Sequence, residues 1–478
     1  MNLPPIPRPT ADFAQPAGSG SAEQCSAKPC LRPAEGGDAG SAAAAASGSR
    51  HTPPWDGPAA EKIAIIGAGY AGLSAAVELS AAGRQVDVFE ASRVPGGRAR
   101  ATQIEGFTVD NGQHILIGAY TETLRLMRVV GADPDQLLKR TPLRFEFPGE
   151  FAMSAPRLPA PLHTAFALLL AQGLGWREKW AAIRLMRGLQ ADKFQIEPDT
   201  TVTKWLDANK APSRQRRLLW EPICIAALNT PADRASARVL ANVLRDSLGG
   251  SRSASDMLLP QVDLSALFPE PAAEFIARHG GTVRLGRRAS SLRREGDAWW
   301  IDDAGPFAQV VLAVAPYHLG HLVPEMAPQV AHFEWEPIVT SYFSYPDWVR
   351  LAQPMLGVDA GLAQWLFDRG RLCGQYGLIA AVISARGRHL DLPAAELERG
   401  IHQEIARLVP DLPAPLSVQT ITEKRATFAC VPNLQRPTAR TGLPGLWLAG
   451  DYVAGDYPAT LEGAVRSGVA AARLVLAA

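Results

Sequence analysis

Residues 63–98 read IAIIGAGYAGLSAAVELSAAGRQVDVFEASRVPGGR, and the fold turns on this stretch. Ile63–Ile66 is an apolar run of the kind found in parallel strands buried on both faces. Gly67, Gly69 and Gly72 follow with G-x-G-x-x-G spacing. In that spacing the first glycine admits a tight turn, the second lets the backbone approach a pyrophosphate, and the third lets a helix pack closely on the strand. The pattern predicts a helix over 71–82, stopped at Gly83. Its N-terminus, with Ala68 and Ala71 beside the glycines, presents free N–H groups and a positive dipole end to phosphate. A second strand is predicted over 86–89, with Glu90 at its end and Ala91 next. Glu90 lies 18 residues beyond Gly72, close to the ~20 expected of the acid that binds a ribose 2′-hydroxyl. A carboxylate there repels a 2′-phosphate, so the adenosine of the bound dinucleotide carries none. Strand, turn, helix, strand and acid occur in order, which a glycine-rich turn without a ligand does not require.

Length and composition set the frame. The 478 residues allow about three domains at ~150 residues each. Hydrophobic content is 47% and charged content 20%, ordinary for an enzyme with a large core. A net charge of +1 gives no bulk case for nucleic acid. Cys25, Cys30, Cys224, Cys373 and Cys430 are odd in number, scattered and without a C-x-x-C pair. They fit a reducing cytosol, argue against a disulfide framework, and with the histidines offer no metal-site spacing. No run approaches the ~20 apolar residues of a membrane span; the nearest, 165–171, is far too short. No secretory signal is recognisable. Residues 1–60, rich in Ala, Gly, Pro and Ser, lack apolar periodicity and are expected to be disordered and without a catalytic role.

Beyond Glu90 comes Pro95-Gly96-Gly97-Arg98, and near the end Leu446-Trp447-Leu448-Ala449-Gly450-Asp451, then Tyr457 to Ala464 and Ser467-Gly468. Together these resemble the flavin amine oxidase and phytoene desaturase superfamily. The resemblance implies an α/β fold: a Rossmann-like FAD-binding domain of amine oxidase type with an inserted α+β substrate domain. It implies that Gly97 and Arg98 lie by the pyrophosphate or flavin, and Gly450 and Asp451 by the ribityl or phosphate. The helix starting near Leu461 points at the flavin ring, and Ala289, in the segment 280–292, meets adenine. FAD is expected to be non-covalent, because no Cys stands where monoamine oxidases attach flavin. Residues 61–142, 256–330 and 440–478 are assigned to the FAD domain. Residues 143–255 and 331–439 are assigned to the substrate domain. Helical spacing dominates 143–250, with helices over 163–172, 214–227 and 236–248, and strands are expected over 339–345, 377–384 and 418–421.

Four further stretches are more specific: Asp110-Asn111-Gly112-Gln113-His114, Ala226 to Pro231, Leu259 to Leu264 with Phe268-Pro269, and Gly450-Asp451 through Tyr457 to Thr460. They resemble the hydroxysqualene dehydroxylase family of bacterial hopanoid synthesis, over about residue 61 to the C-terminus. The resemblance implies a reduction: hydroxysqualene, a C30 isoprenoid, plus reduced FAD gives squalene and water. Breaking the C–OH bond needs an acid, and the candidates are His114 first, Asp256 second, then Asp456 and Tyr457. With no second G-x-G-x-x-G, an external reductant must regenerate reduced FAD.

A C30 hydrocarbon resides in a bilayer, so a peripheral position on the inner face of the cytoplasmic membrane is expected, with Leu162–Leu189 as the docking region. Spacing alone favours a core-facing stripe for Trp176, Trp180 and Ile183 there. The competing readings are a phytoene-type desaturase running hydride transfer the other way, an amine oxidase, and a non-catalytic isoprenoid escort. The intact cofactor motifs argue against the last.

Overall fold

A computed structural model describes residues 62–478; the expected leader, with Cys25 and Cys30, lies outside the described residues. Its centre is a five-stranded parallel sheet in the order Thr282–Arg284, Val86–Phe89, Ile63–Ile66, Gln309–Leu312, Leu446–Leu448. The strands are gathered from three distant parts of the chain. Ile63 and Ile65 face one core, and Ala64 and Ile66 the other. That two-sided burial is why the first strand is apolar without alternation.

Helix Tyr70–Ala81 covers one face with Leu461–Leu476 and Pro269–Arg278. A Cβ at Gly468 would lie 2.1 Å from the Ala71 carbonyl oxygen, so the glycine permits this helix–helix approach. The meander Leu292–Glu295, Ala298–Ile301, Ala304–Phe307 lies antiparallel near the strand Gln309–Leu312.

A second, antiparallel five-stranded sheet runs Met355–Gly357, Trp365–Asp368, Leu378–Ser384, Trp335–Ser344, Ser417–Phe428. Helix Ala394–Ala406 packs Leu397, Ile401 and Ile405 into its core. The helical layer Leu162–Leu170, Trp176–Ala191, Val202–Ala208, Glu221–Leu228 and Ala237–Leu248 shares its core with the other face of this sheet.

Two expectations are corrected. The stretch following residue 143 is not helical from its start: Arg144–Phe147 and Phe151–Ser154 form a hairpin, after a strand at Leu138–Thr141. Their alternation is too short to stand out against the helical pattern beyond it. The single helix expected over 214–227 is broken. Ser213–Gln215 leads into a π segment, Arg216–Trp220, before Glu221–Leu228. The cause is Pro222, which lacks an N–H and crowds the carbonyl four residues back. The register slips, and the Glu221 N–H bonds the Arg216 carbonyl five residues earlier.

Candidate active site

Gly67, Glu90, Ala313 and Gly450 stand just past the C-terminal ends of four parallel strands, and all four line one continuous cavity of about 1180 Å³. This is where open α/β sheets bind ligands. The volume exceeds the roughly 300–1,000 Å³ that hold one small molecule, so a nucleotide and a substrate can share it.

The three glycines of the motif sit in three different settings. Gly67 has φ +109°, and a Cβ there would lie 2.5 Å from the Ala313 carbonyl oxygen. A Cβ at Gly72 would lie 1.9 Å from the Gly67 oxygen, so this glycine closes the strand–helix contact and does not face the cavity. Gly69 differs. Its backbone is ordinary and extended, and a Cβ would meet only Gly97 Cα, at 3.9 Å. Gly69 and Gly97 thus make a bare floor in front of the helix N-terminus, tied by the Gly96 N–H to the Ala68 carbonyl at 2.8 Å. A side chain at Gly69 would fill this cradle, whose shape and N–H groups fit a dinucleotide pyrophosphate.

Ala68 also faces away from the cavity, but its N–H donates to Glu90 Oε2 at 2.7 Å while the Ser92 N–H donates to Oε1 at 2.7 Å. Two backbone donors therefore fix the carboxylate that the sequence assigns to ribose. Ala71, Ala91, Ala289 and Leu461 all line the cavity. Thr460 caps the last helix by accepting the Gly463 N–H, which aims that N-terminus at the cavity.

Arg98 and Asp451, 353 residues apart and each expected at the cofactor, face each other. Arg98 Nη2 donates to Asp451 Oδ1 at 2.7 Å, and Nη1 to the Ala426 carbonyl at 2.6 Å. Burial opposes the arginine's charge, but Asp451 outweighs it and leaves its pKa above the ordinary value. About a third of the Arg98 side-chain surface, 32%, remains accessible, and Arg98 lines the cavity.

The loop 111–115 also lines the cavity, anchored by the motif residue Asp110 and by Tyr342 and Arg369, which the sequence does not single out. Asp110 Oδ1 accepts the Leu264 N–H at 2.7 Å, and Tyr342 donates its hydroxyl to the Asp110 carbonyl at 2.8 Å. Buried Arg369 donates to Gln113 Oε1 at 2.8 Å and stands 3.6 Å from Asp110 Oδ2. Burial raises Asp110 to about 6, with Arg369 pulling the other way. Between its unfolded and folded pKa, the folded state holds the proton more tightly, so this contribution to stability is present at low pH and lost as pH rises through about 6. Denaturation of wild type against Asp110→Asn should show wild type losing about 2 kcal/mol relative to the variant between pH 4 and 7. A constant difference would contradict it.

His114 lines the cavity, but its geometry does not suit an acid. Its Nδ1 lies 2.5 Å from the Gly112 carbonyl, which can only accept, so the proton sits on Nδ1 and Nε2 is an acceptor. Burial lowers its pKa, with Arg98 adding to the effect against the Gly112 bond. Asp256 is not among the cavity residues: its carboxylate meets Arg140 at 3.2 Å and Arg252 at 3.8 Å, next to the small sheet of Met257–Pro260. Asp456 is exposed and likewise outside the lining. Tyr457 does face the cavity, and its hydroxyl donates to Asp246 Oδ2 at 2.5 Å. Asp246 escaped notice because, near the end of a helix among Arg245 and Asn242, it reads as part of a solvated face.

Away from the nucleotide cradle the wall is apolar: Phe145, Met153, Ile183, Met186, Trp365 and Phe367. Helices Leu162–Leu170 and Trp176–Ala191 separate this end from the outside. Thr164, Leu168, Ile183 and Met186 face in, while Leu162, Phe166, Leu170, Trp176 and Trp180 face out, with Trp176 65% and Trp180 58% exposed. The core-facing reading of the two tryptophans is corrected; of the three residues, only Ile183 turns inward. Among the described residues, no helix is long and apolar enough to cross a membrane, and no group of three or more His, Cys, Asp or Glu could hold a metal ion.

The family model of flavin containing amine oxidoreductases matches residues 70–476. The chain belongs to this family of flavin-dependent oxidoreductases. Within it, the chain is 32% identical over 437 residues to hydroxysqualene dehydroxylase of Sinorhizobium fredii, covering 87% of this chain and 98% of that protein. It is 30% identical over 433 residues to hydroxysqualene dehydroxylase of Zymomonas mobilis, covering 86% and 98%. Zeta-carotene desaturase of Capsicum annuum is 25% identical over 473 residues, covering 85% and 79%. Among solved structures, wild-type putrescine oxidase bound to putrescine superposes with a TM-score of 0.63 at 17% identity, covering 87% of this chain and 99% of that one. At that identity the likeness shows the shared fold alone.

Proposed function

We propose that this chain binds FAD non-covalently and reduces hydroxysqualene to squalene with release of water. The observation that carries the reading is one cavity that joins a pyrophosphate cradle to a long apolar end walled by helices with exposed aromatic residues. The 30–32% identity to hydroxysqualene dehydroxylases, against 25% to the carotenoid desaturase, supports reduction over desaturation.

In this account Gly69, Gly97 and the helix N-terminus seat the pyrophosphate, Glu90 takes the ribose hydroxyls, and backbone at Ala289 meets adenine. Gly450, Asp451 with Arg98, and the helix starting at Leu461 hold the rest of the cofactor. Bound and reduced, FAD supplies the hydride. The apolar wall holds the hydrocarbon extended and keeps bulk water from the reacting carbon. An external reductant restores the flavin.

Product analysis tests the direction. Reduced protein with hydroxysqualene should yield squalene, and oxidised protein should leave phytoene unchanged; the reverse pair of results would make it a desaturase.

The substrate's partition also assigns a place. At roughly 0.8 kcal/mol per buried CH₂, a C30 chain stays in lipid until an enzyme meets it there. Leu162, Phe166, Leu170, Trp176 and Trp180, with Arg177 and Arg184 nearby, form an apolar and basic face on the two helices that wall the apolar end. We assign this face to the inner surface of the cytoplasmic membrane. Trp176→Ser with Trp180→Ser should weaken co-sedimentation with anionic liposomes about tenfold or more and leave flavin content unchanged. Unchanged sedimentation would remove the docking face.

A further inference from the structure

Breaking a C–OH bond needs a proton, and Glu90, Asp451, Glu423 and His114, all on the cavity wall, are poorly placed to give one. Glu90 is held by two backbone N–H groups at the adenosine end. Asp451 is paired with Arg98, and Glu423 accepts from Asn111 Nδ2 at 3.3 Å. His114 offers an acceptor. On the cavity wall the Tyr457–Asp246 pair sets a phenol proton directly against a carboxylate. Two elements 211 residues apart meet there: the turn just before the helix at Leu461 and the helix Ala237–Leu248.

Building on the proposed function, we infer that Tyr457, oriented by Asp246, receives the substrate hydroxyl and protonates it as the C–O bond breaks. Asp246 Oδ2 accepts the phenol, and Oδ1 accepts Arg245 Nε at 2.7 Å. The Arg466 guanidinium lies 4.7 Å above the Tyr457 ring and is itself tied to Glu462 at 2.7 Å. Burial, followed by the bond to Asp246, pushes the phenol's pKa up, so it arrives protonated. Burial pushes Asp246 up as well, but the bonds from Arg245 and Tyr457 prevail and hold it below the usual carboxylate range.

The substrate hydroxyl takes the Tyr457 proton in place of Asp246 Oδ2 and keeps its own, which it offers as a hydrogen bond to the freed carboxylate oxygen. The C–O bond breaks with both electrons going to oxygen. Water leaves, an allylic cation stays on carbon for the hydride of the proposed function, and the phenolate sits under Arg466. Arg245 also stands 3.6 Å from Asp456, whose side chain is 68% exposed, so the pair lies at the rim where solvent can return the proton.

The test compares two ligands on the oxidised flavoprotein in detergent, hydroxysqualene and squalene, which differ by the hydroxyl. Tyr457→Phe should weaken hydroxysqualene binding about tenfold, the loss of one hydrogen bond, and leave squalene binding unchanged. Turnover by the reduced protein should fall on the order of 10²–10⁴-fold. Asp246→Asn, which keeps the side-chain shape, should follow the same pattern. Equal weakening of both ligands would mark Tyr457 as structural and overturn the inference, as would turnover within tenfold of wild type. Wild-type protein that neither binds nor reduces hydroxysqualene overturns the proposed function as well, whereas normal wild-type turnover that survives Tyr457→Phe overturns this inference alone.

Discussion

Gly69→Val should give a folded, colourless protein. The backbone at Gly69 has φ −78° and ψ 178°, a conformation any residue adopts, and a Cβ would touch nothing closer than 3.9 Å. The fold therefore tolerates the change. The isopropyl group then occupies the floor shared with Gly97, where the pyrophosphate would approach the helix N-terminus. Charge-assisted hydrogen bonds of about 1.5–3 kcal/mol each are lost there, so flavin affinity should drop on the order of 10²–10³-fold. Gly72→Ala is the contrast. Its added carbon would stand 1.9 Å from a backbone oxygen that cannot swing aside, so overpacking of roughly 1–3 kcal/mol should lower the melting temperature. The flavin absorbance per protein and the melting temperature separate the two outcomes. A yellow Gly69→Val protein would contradict the cradle.

The second large effect belongs to Arg98→Met. Asp451 keeps 8% of its side-chain surface, and removing its partner leaves a buried carboxylate without its ion pair, with Arg436 the remaining charge nearby. Breaking a fully buried pair costs about 3–5 kcal/mol, and because a third of the arginine surface is open, about 2–3 kcal/mol is expected here. Chemical denaturation of Arg98→Met, Asp451→Leu and the double variant measures the coupling. The double variant should recover most of the stability without recovering flavin. If each single variant loses less than 0.5 kcal/mol, within the usual range of surface substitutions, the pair does not hold the cavity together.

Much of this architecture could be read from residues close together in the chain. The run Ile63–Ile66, the three glycines and Glu90 lie within one strand–helix–strand unit, where spacing alone dictates geometry. Gly131, with φ +90°, ends the helix Thr121–Val130 in the left-handed conformation that favours glycine. What could not be read depends on long-range partners. Arg98 and Asp451 were each legible as site residues, but nothing local shows that they pair. Arg369 gives no signal in sequence, yet it is 3% exposed and braces the loop 111–115 through Gln113. Asn229 stands out as part of a motif, but its work appears only in three dimensions: its amide spans Pro337, Thr427 and Ala385, tying the helix Glu221–Leu228 to the antiparallel sheet. Amphipathic spacing is the same whether an apolar stripe meets a core or a membrane, so the exposure of Trp176 and Trp180 shows only in three dimensions. Asp246 was passed over because its partner Tyr457 is 211 residues away.

In this cavity electrons are proposed to flow from reduced flavin to substrate, and a single anaerobic turnover tests that direction. The flavoprotein is reduced with dithionite, freed of excess reductant, and mixed with hydroxysqualene while the flavin spectrum is followed. Reoxidation with one squalene formed per flavin is expected. Reduced flavin that persists, while the oxidised protein bleaches on adding phytoene, would contradict it and establish a desaturase.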